Sequence, residues 1–155
     1  MAMVMKKAMI TSISEVLETM FFMATEVIED ITISESGLVD IKKLLGVKLE
    51  FSGKISGDFI LLIPSDLAEQ LASSLIGANI SSLTSEHVQG SIKELMNMIA
   101  GNTFSYLDSD AQFKLGIPEI VKASKIMKAI KANNTNELII METLDGNLAC
   151  GVIIT

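Results

Sequence analysis

Hydrophobic and polar positions follow two periods along this chain, and the changes of period divide it into elements. From about Lys7 to Glu29, the residues Ile10, Ile13, Leu17, Phe21, Ala24 and Ile28 recur at spacings of three and four, which predicts an amphipathic helix. Glu15 and Glu18 fall away from that stripe. Asp30 to Gly46 is mixed, with a short strand near Ile31–Ser34 and a turn at Ser36-Gly37 as the expectation. At Val47 the period drops to two. Val47, Leu49 and Phe51 alternate with polar residues, Phe59–Ile63 is apolar throughout, and Val47–Pro64 reads as a β-hairpin loosened by Gly53 and Gly57. Pro64 stops the strand, Ser65 is placed to cap a helix over Asp66–Ile76, and Gly77 ends it.

A second long helix is predicted from near Ser85, with Glu86 favourably placed in its first turn, to about Asp108. Its stripe is Ile92, Leu95, Met96, Ile99, Thr103, Tyr106 and Leu107. Gln112–Val121 is strand-like, but Pro118 demands an edge or an irregular position. In Lys122–Ala132, the residues Ala123, Ile126, Met127 and Ile130 suit a short helix. The chain closes on a hairpin, Glu137–Leu144 and Asn147–Thr155, joined by Asp145-Gly146. Each hairpin follows a long amphipathic helix. Gly57-Asp58-Phe59 resembles Gly146-Asn147-Leu148, and Glu15-Val16-Leu17-Glu18 resembles Glu94-Leu95-Met96-Asn97, which predicts an internal duplication of a helix-plus-hairpin unit. The expected architecture is α+β: one domain over 1–155, an antiparallel sheet with long helices covering a face.

Composition narrows the function. A length of 155 residues fits one domain, and 49% hydrophobic residues fill a core. The ten methionines predict either a Met-rich core or an adaptable contact surface. A net charge of −7, with Lys6-Lys7 and Lys42-Lys43 as isolated basic pairs, argues against nucleic acid and anionic membranes. No apolar run approaches the roughly 18 residues of a membrane span. Ser12, Ser14 and Glu15 interrupt the N-terminal apolar stretch, which makes a poor signal peptide, so a cytoplasmic protein is expected. The single cysteine, Cys150, excludes an internal disulfide and lies in an apolar run as a small hydrophobe. His87 is the only histidine; alone it builds no metal site, and a surface or capping role is expected of it. No phosphate-binding glycine loop occurs, so no nucleotide cofactor is expected.

The second long helix carries the candidate chemistry. With Ile92 at zero and 100° per residue, Glu94, Asn97 and Gly101 fall at about 200°, 140° and 180°, away from the apolar stripe. Glu94 and Asn97 are three apart and therefore neighbours on that face. A glycine inside an exposed helix costs about 0.5–1 kcal/mol relative to alanine, and the core does not need Gly101. Its physical use is to let another molecule's backbone approach closely. Solvated helices commonly carry polar residues at this spacing, so the pair alone specifies no function.

The run Glu94-Leu95-Met96-Asn97-Met98-Ile99-Ala100-Gly101-Asn102 resembles the helix that marks the CheX/CheC family of chemotaxis phosphatases, which carry Glu-x-x-Asn commonly followed by Gly-Asn. SEVLETMFF, FSGKISGDFILLI, P-x-x-x-A-x-x-L-A and the closing DGN hairpin extend the resemblance over essentially the whole chain. The resemblance implies a CheC-like fold and a CheX-like phosphatase acting on a phosphorylated CheY-like receiver domain. It implies that Asn97 holds the attacking water and that Glu94 anchors the receiver's active-site lysine. It further puts Met98, Gly101 and Asn102 at the partner contact and implies a homodimer. It implies no cofactor of the chain's own, with Mg²⁺ supplied by the receiver. Glu18 stands where a second Asn would be in two-site members, which implies one site per chain. Two departures stand out: Gly90, beside Ser91, occupies a position that is often Asp or Ser, and Pro118 comes slightly early. Phe22 and Met23 lie off the first stripe, as a partner or dimer contact or as a wider buried face. The competing reading is a non-catalytic adaptor of the same fold that binds a receiver or motor component.

Overall fold

On the strand Gly57–Pro64, Phe59, Leu61 and Ile63 point to one side and Ile60 and Leu62 to the other, and all five are buried. A strand apolar on both faces needs a layer of structure on each. The computed structural model, which describes residues 2–28, 38, 41–107, 113–133 and 138–155, supplies both. The elements run α1 (Ala2–Phe21), β1 (Glu26–Ile28), a 3-10 turn (Ile41–Lys43), β2 (Leu44–Ser52) and β3 (Gly57–Pro64). They continue with α2 (Ser65–Ile76), a second 3-10 turn (Ile80–Ser82), α3 (Ser85–Leu107), β4 (Lys114–Leu115), β5 (Glu119–Val121), α4 (Ala123–Asn133), β6 (Ile139–Thr143) and β7 (Gly146–Ile154). The strands form one sheet in the order β1-β6-β7-β3-β2-β4, with β5 also on β2. Every pairing is antiparallel, among them Leu61 opposite Cys150 and Val47 opposite Leu61.

The larger core lies on one face, where Met9, Ile13 and Leu17 of α1, Leu67 and Leu71 of α2 and Ile92, Leu95 and Ile99 of α3 meet the sheet. The smaller core lies on the opposite face, where Ala123 and Ile126 of α4 pack on Ile60, Leu62, Ile140, Ala149 and Ile153. Helices therefore cover both faces, one more than the hydrophobic pattern predicts. Met5, Met9, Met96 and Met141 are fully buried, so much of the methionine is core filler. A long helix followed later by a hairpin occurs twice, and the two hairpins meet at the centre of the sheet through β3 and β7.

Several boundaries differ from expectation. α1 starts at Ala2 and stops at Phe21, not Glu29; Ala24 is exposed beyond it and Ile28 belongs to β1. The helix ends where Phe22 takes φ 54° and the Met23 N–H reaches the Leu17 carbonyl at 3.0 Å. No glycine marks that stop, so the three-and-four spacing runs past it unopposed. On α3, Tyr106 is exposed and Leu107 half-buried, while Ser91, Ala100 and Phe104 are buried. The buried arc is wider than one stripe because α3 packs against α1 and α2 as well as the sheet. The final hairpin turns at Leu144-Asp145, one residue before the expected Asp-Gly centre. There the Thr143 hydroxyl donates to the Gly146 carbonyl at 2.6 Å and accepts the Asp145 N–H at 3.2 Å. The outer edge of that hairpin is occupied by β1, with Val27 opposite Met141. The strand expected near Ile31–Ser34 and the turn at Ser36-Gly37 lie outside the described residues.

Two local features yield predictions. α3 is capped by Thr84, whose Oγ1 accepts the His87 N–H at 3.2 Å while its own N–H donates to His87 Nδ1 at 3.2 Å. His87 thus fills the reciprocal role usually taken by Glu or Gln three residues past the cap. Thr84→Ala is expected to cost about 1 kcal/mol, seen as a lower urea midpoint at unchanged slope. Cys150 is fully buried, and burial pushes its thiol up to about 12. A thiol reagent at pH 8 is expected to label the native protein only at the rate of unfolding; immediate stoichiometric labelling would contradict this packing.

Candidate functional site on the outer face of helix α3

Two sets of contacts hold α3 in place. The Ile99 carbonyl accepts the buried Ser12 hydroxyl of α1 at 2.8 Å and the buried Thr103 hydroxyl at 2.7 Å. Further along, Phe104 stacks on Phe113 with ring centroids 4.1 Å apart and meets Phe51 and Phe59 edge-on at 5.1 and 5.3 Å. Such aromatic pairs contribute about 0.5–1.5 kcal/mol each beyond their burial. With one side tied to α1 and the other to β2 and β3, the remaining side of α3 faces outward.

On that outward side Glu94 is exposed and Asn97 half-buried. Neither has a hydrogen-bond or ion-pair partner among the described residues, so one carboxylate and one amide stand unused one turn apart. Gly101 is half-buried and a methyl group built on it meets nothing within 4 Å. The glycine therefore leaves the ridge bare one turn beyond the pair. Met98 packs partly against the larger core. Asn102 is also half-buried, and helical geometry puts it about 80° around from Glu94, at the margin of the face.

The ridge is convex. A cavity of about 300 Å³ lies near the start of the same helix, between Leu45, Ser65, Ile80 and Val88, and neither Glu94 nor Asn97 lines it. Among the described residues, no group of three or more His, Cys, Asp or Glu could hold a metal ion. Among them, too, no helix is long and apolar enough to cross a membrane. The arrangement suits insertion into another molecule's pocket better than enclosure of a small substrate.

The corresponding turn of α1 differs. Glu15 and Glu18 are both exposed, but the Tyr106 hydroxyl of α3 donates to Glu15. That hydrogen bond is the main reason the Tyr106 phenol is held above its usual range. The contact spans 91 positions, and no local pattern announces it. Of the two departures noted above, Ser91 is buried and donates to the His87 carbonyl at 2.9 Å, so it does not replace an outward polar group at Gly90. Pro118 is buried in the gap between β4 and β5, where its missing N–H interrupts the edge. Phe22 is 92% exposed, whereas Met23 packs on the core.

The family model described as "Chemotaxis phosphatase CheX" matches residues 45–142, more than half of the chain. No curated protein sequence matches it. Among solved structures, the chemotaxis protein CheX from Vibrio vulnificus is 16% identical, with a TM-score of 0.73 over 96% of this chain and 95% of that one. The CheX–CheY–BeF3–Mg²⁺ complex from Borrelia burgdorferi matches at 16% identity and a TM-score of 0.68, over 96% of each chain. A CheC-like protein from Shewanella oneidensis is 17% identical and also scores 0.68, over the full length of both chains. At these identities the structures establish a shared CheC-like fold. The family match goes further, and with the outward Glu94–Asn97 ridge it leads to one conclusion: the chain belongs to the CheX family of chemotaxis phosphatases.

Proposed function

We propose that this chain hydrolyses the aspartyl phosphate of a CheY-like receiver domain, using Asn97 to position the attacking water and Glu94 to anchor the receiver. The observation that carries the proposal is an acid and an amide, unpartnered among the described residues, on the outward side of a helix otherwise fixed into the core. The Borrelia relative adds support, because its structure is a complex with CheY and trifluoroberyllate, a stand-in for a phosphoryl group.

An acyl phosphate is already activated, so most of the remaining task is to align a nucleophile and hold it. The Asn97 carboxamide both donates and accepts, and can therefore orient a water without adding charge near the phosphoryl oxygens. The water oxygen bonds to phosphorus, the acyl oxygen departs as the receiver's aspartate carboxylate, and both water protons leave on the inorganic phosphate. Glu94 carries the charge that suits a lysine ammonium in the receiver's pocket, through a charge-assisted hydrogen bond. The divalent cation on this reading is the receiver's own. α1 offers no equivalent: Glu15 is engaged by Tyr106, and Glu18 would repel a phosphoryl group where an amide is required. One site per chain follows.

The test is phosphate release from receivers of the same source, charged with acetyl phosphate, with and without this protein. Asn97→Ala is expected to lower the stimulated rate by on the order of 10²-fold while leaving most receiver binding intact. Glu94→Ala is expected to weaken both binding and rate. Parental rates from Asn97→Ala would remove the water-positioning role. Receiver binding by the parent protein without any stimulated release would favour the adaptor reading instead.

A further inference from the structure

Gly90 is exposed in the body of α3, and a methyl group built on it meets nothing within 4 Å. Gly46 and Gly57 are different, because added carbons there would lie 2.5 and 2.2 Å from the carbonyl oxygens of Val121 and Ile153. Nor does Gly90 take a positive φ. Nothing in the surrounding fold requires glycine at this position, although alanine is the better helix former.

Helical geometry gives Gly90 a specific place. On the wheel used above it falls at about 160°, between Asn97 and Glu94 and about 20° from Gly101. No other residue of α3 from Ser85 to Leu107 falls in the sector bounded by Asn97 and Glu94. The outward ridge thus reads glycine, acid, amide, glycine, and the two glycines are about 16 Å apart along the axis.

We propose that Gly90 is a specificity-determining residue of this ridge, giving the receiver's backbone clearance one turn ahead of Glu94 as Gly101 does one turn beyond Asn97. The inference rests on the receiver-phosphatase reading and deepens it. Two bare positions bracketing the polar pair set how far, and at what tilt, the ridge enters the pocket. The occupant is a receiver carrying its phosphoryl group and cation, as in the complex of the Borrelia relative, with Glu94 meeting the lysine ammonium proposed above. Side chains at position 90 decide which receivers fit.

The experiment uses the full chain and a panel of receivers from the same source, each held in the phosphoryl-like state with trifluoroberyllate and Mg²⁺. Dissociation constants are measured for the parent, Gly90→Ala and Gly90→Gln, together with thermal midpoints. Gly90→Ala is expected to keep or raise the midpoint yet weaken binding about 5-fold or more, and Gly90→Gln to weaken it further. In the turnover assay the loss is expected in KM, with kcat preserved at saturating receiver. Unchanged dissociation constants in both folded variants overturn the inference, whatever the parent's catalytic rate. If the parent binds receivers but releases no phosphate, the phosphatase reading fails and the binding series still decides Gly90. If no receiver binds the parent, both readings fall.

Discussion

The orientation of the outward ridge depends on a buried hydrogen-bond knot between the two long helices. The Ile99 carbonyl, already within a helix, also takes the hydroxyls of Ser12 and Thr103, all inside the larger core. A buried hydroxyl without a partner costs about 1–3 kcal/mol, so sliding or rotating α1 against α3 is disfavoured because it breaks the Ser12 bond. Hydrophobic packing supplies the attraction between the helices but is indifferent to small rotations. The Ser12 hydroxyl narrows that freedom, and Glu94 and Asn97 lie on the outward side of the helix so held.

The aromatic cluster complements the knot. Phe104 belongs to α3, Phe51 and Phe59 to the hairpin β2–β3, and Phe113 to the segment just before β4. It pins the far end of the helix to the sheet while Ser12 pins the middle to α1. A rigid element tied at two points holds a polar pair in position better than a loop does, and the role proposed for Asn97 would need that rigidity.

Much of this was legible in the sequence because the strongest signals are periodic. The β2–β3 hairpin, α2 with Gly77 in the left-handed region at its end, α3 over almost its full length and the closing hairpin all follow from spacing and turn residues. The Glu94–Asn97 face was legible for the same reason, since helical geometry alone brings residues three apart together. What spacing could not reveal is set by distant contacts. The stop of α1 at Phe21 relies on a left-handed phenylalanine. The exposed Tyr106 finds Glu15 on another helix. The wider buried arc of α3 needs both α1 and α2 in place. The cover of the second face by α4 is likewise set by distant contacts, with Ala123 and Ile126 packing on Ile60 and Leu62.

The rims of the sheet carry a consequence of their own. At one rim the described strand β1 has three residues, and at the other β4 has two and β5 three, with Pro118 between them. Among the described residues, rims this short present little unpaired backbone for another chain to extend. A protein that met its partner by strand addition would have to unzip a row of main-chain bonds each time it let go. A protruding helix shoulder has no such ladder to break and can withdraw as one piece.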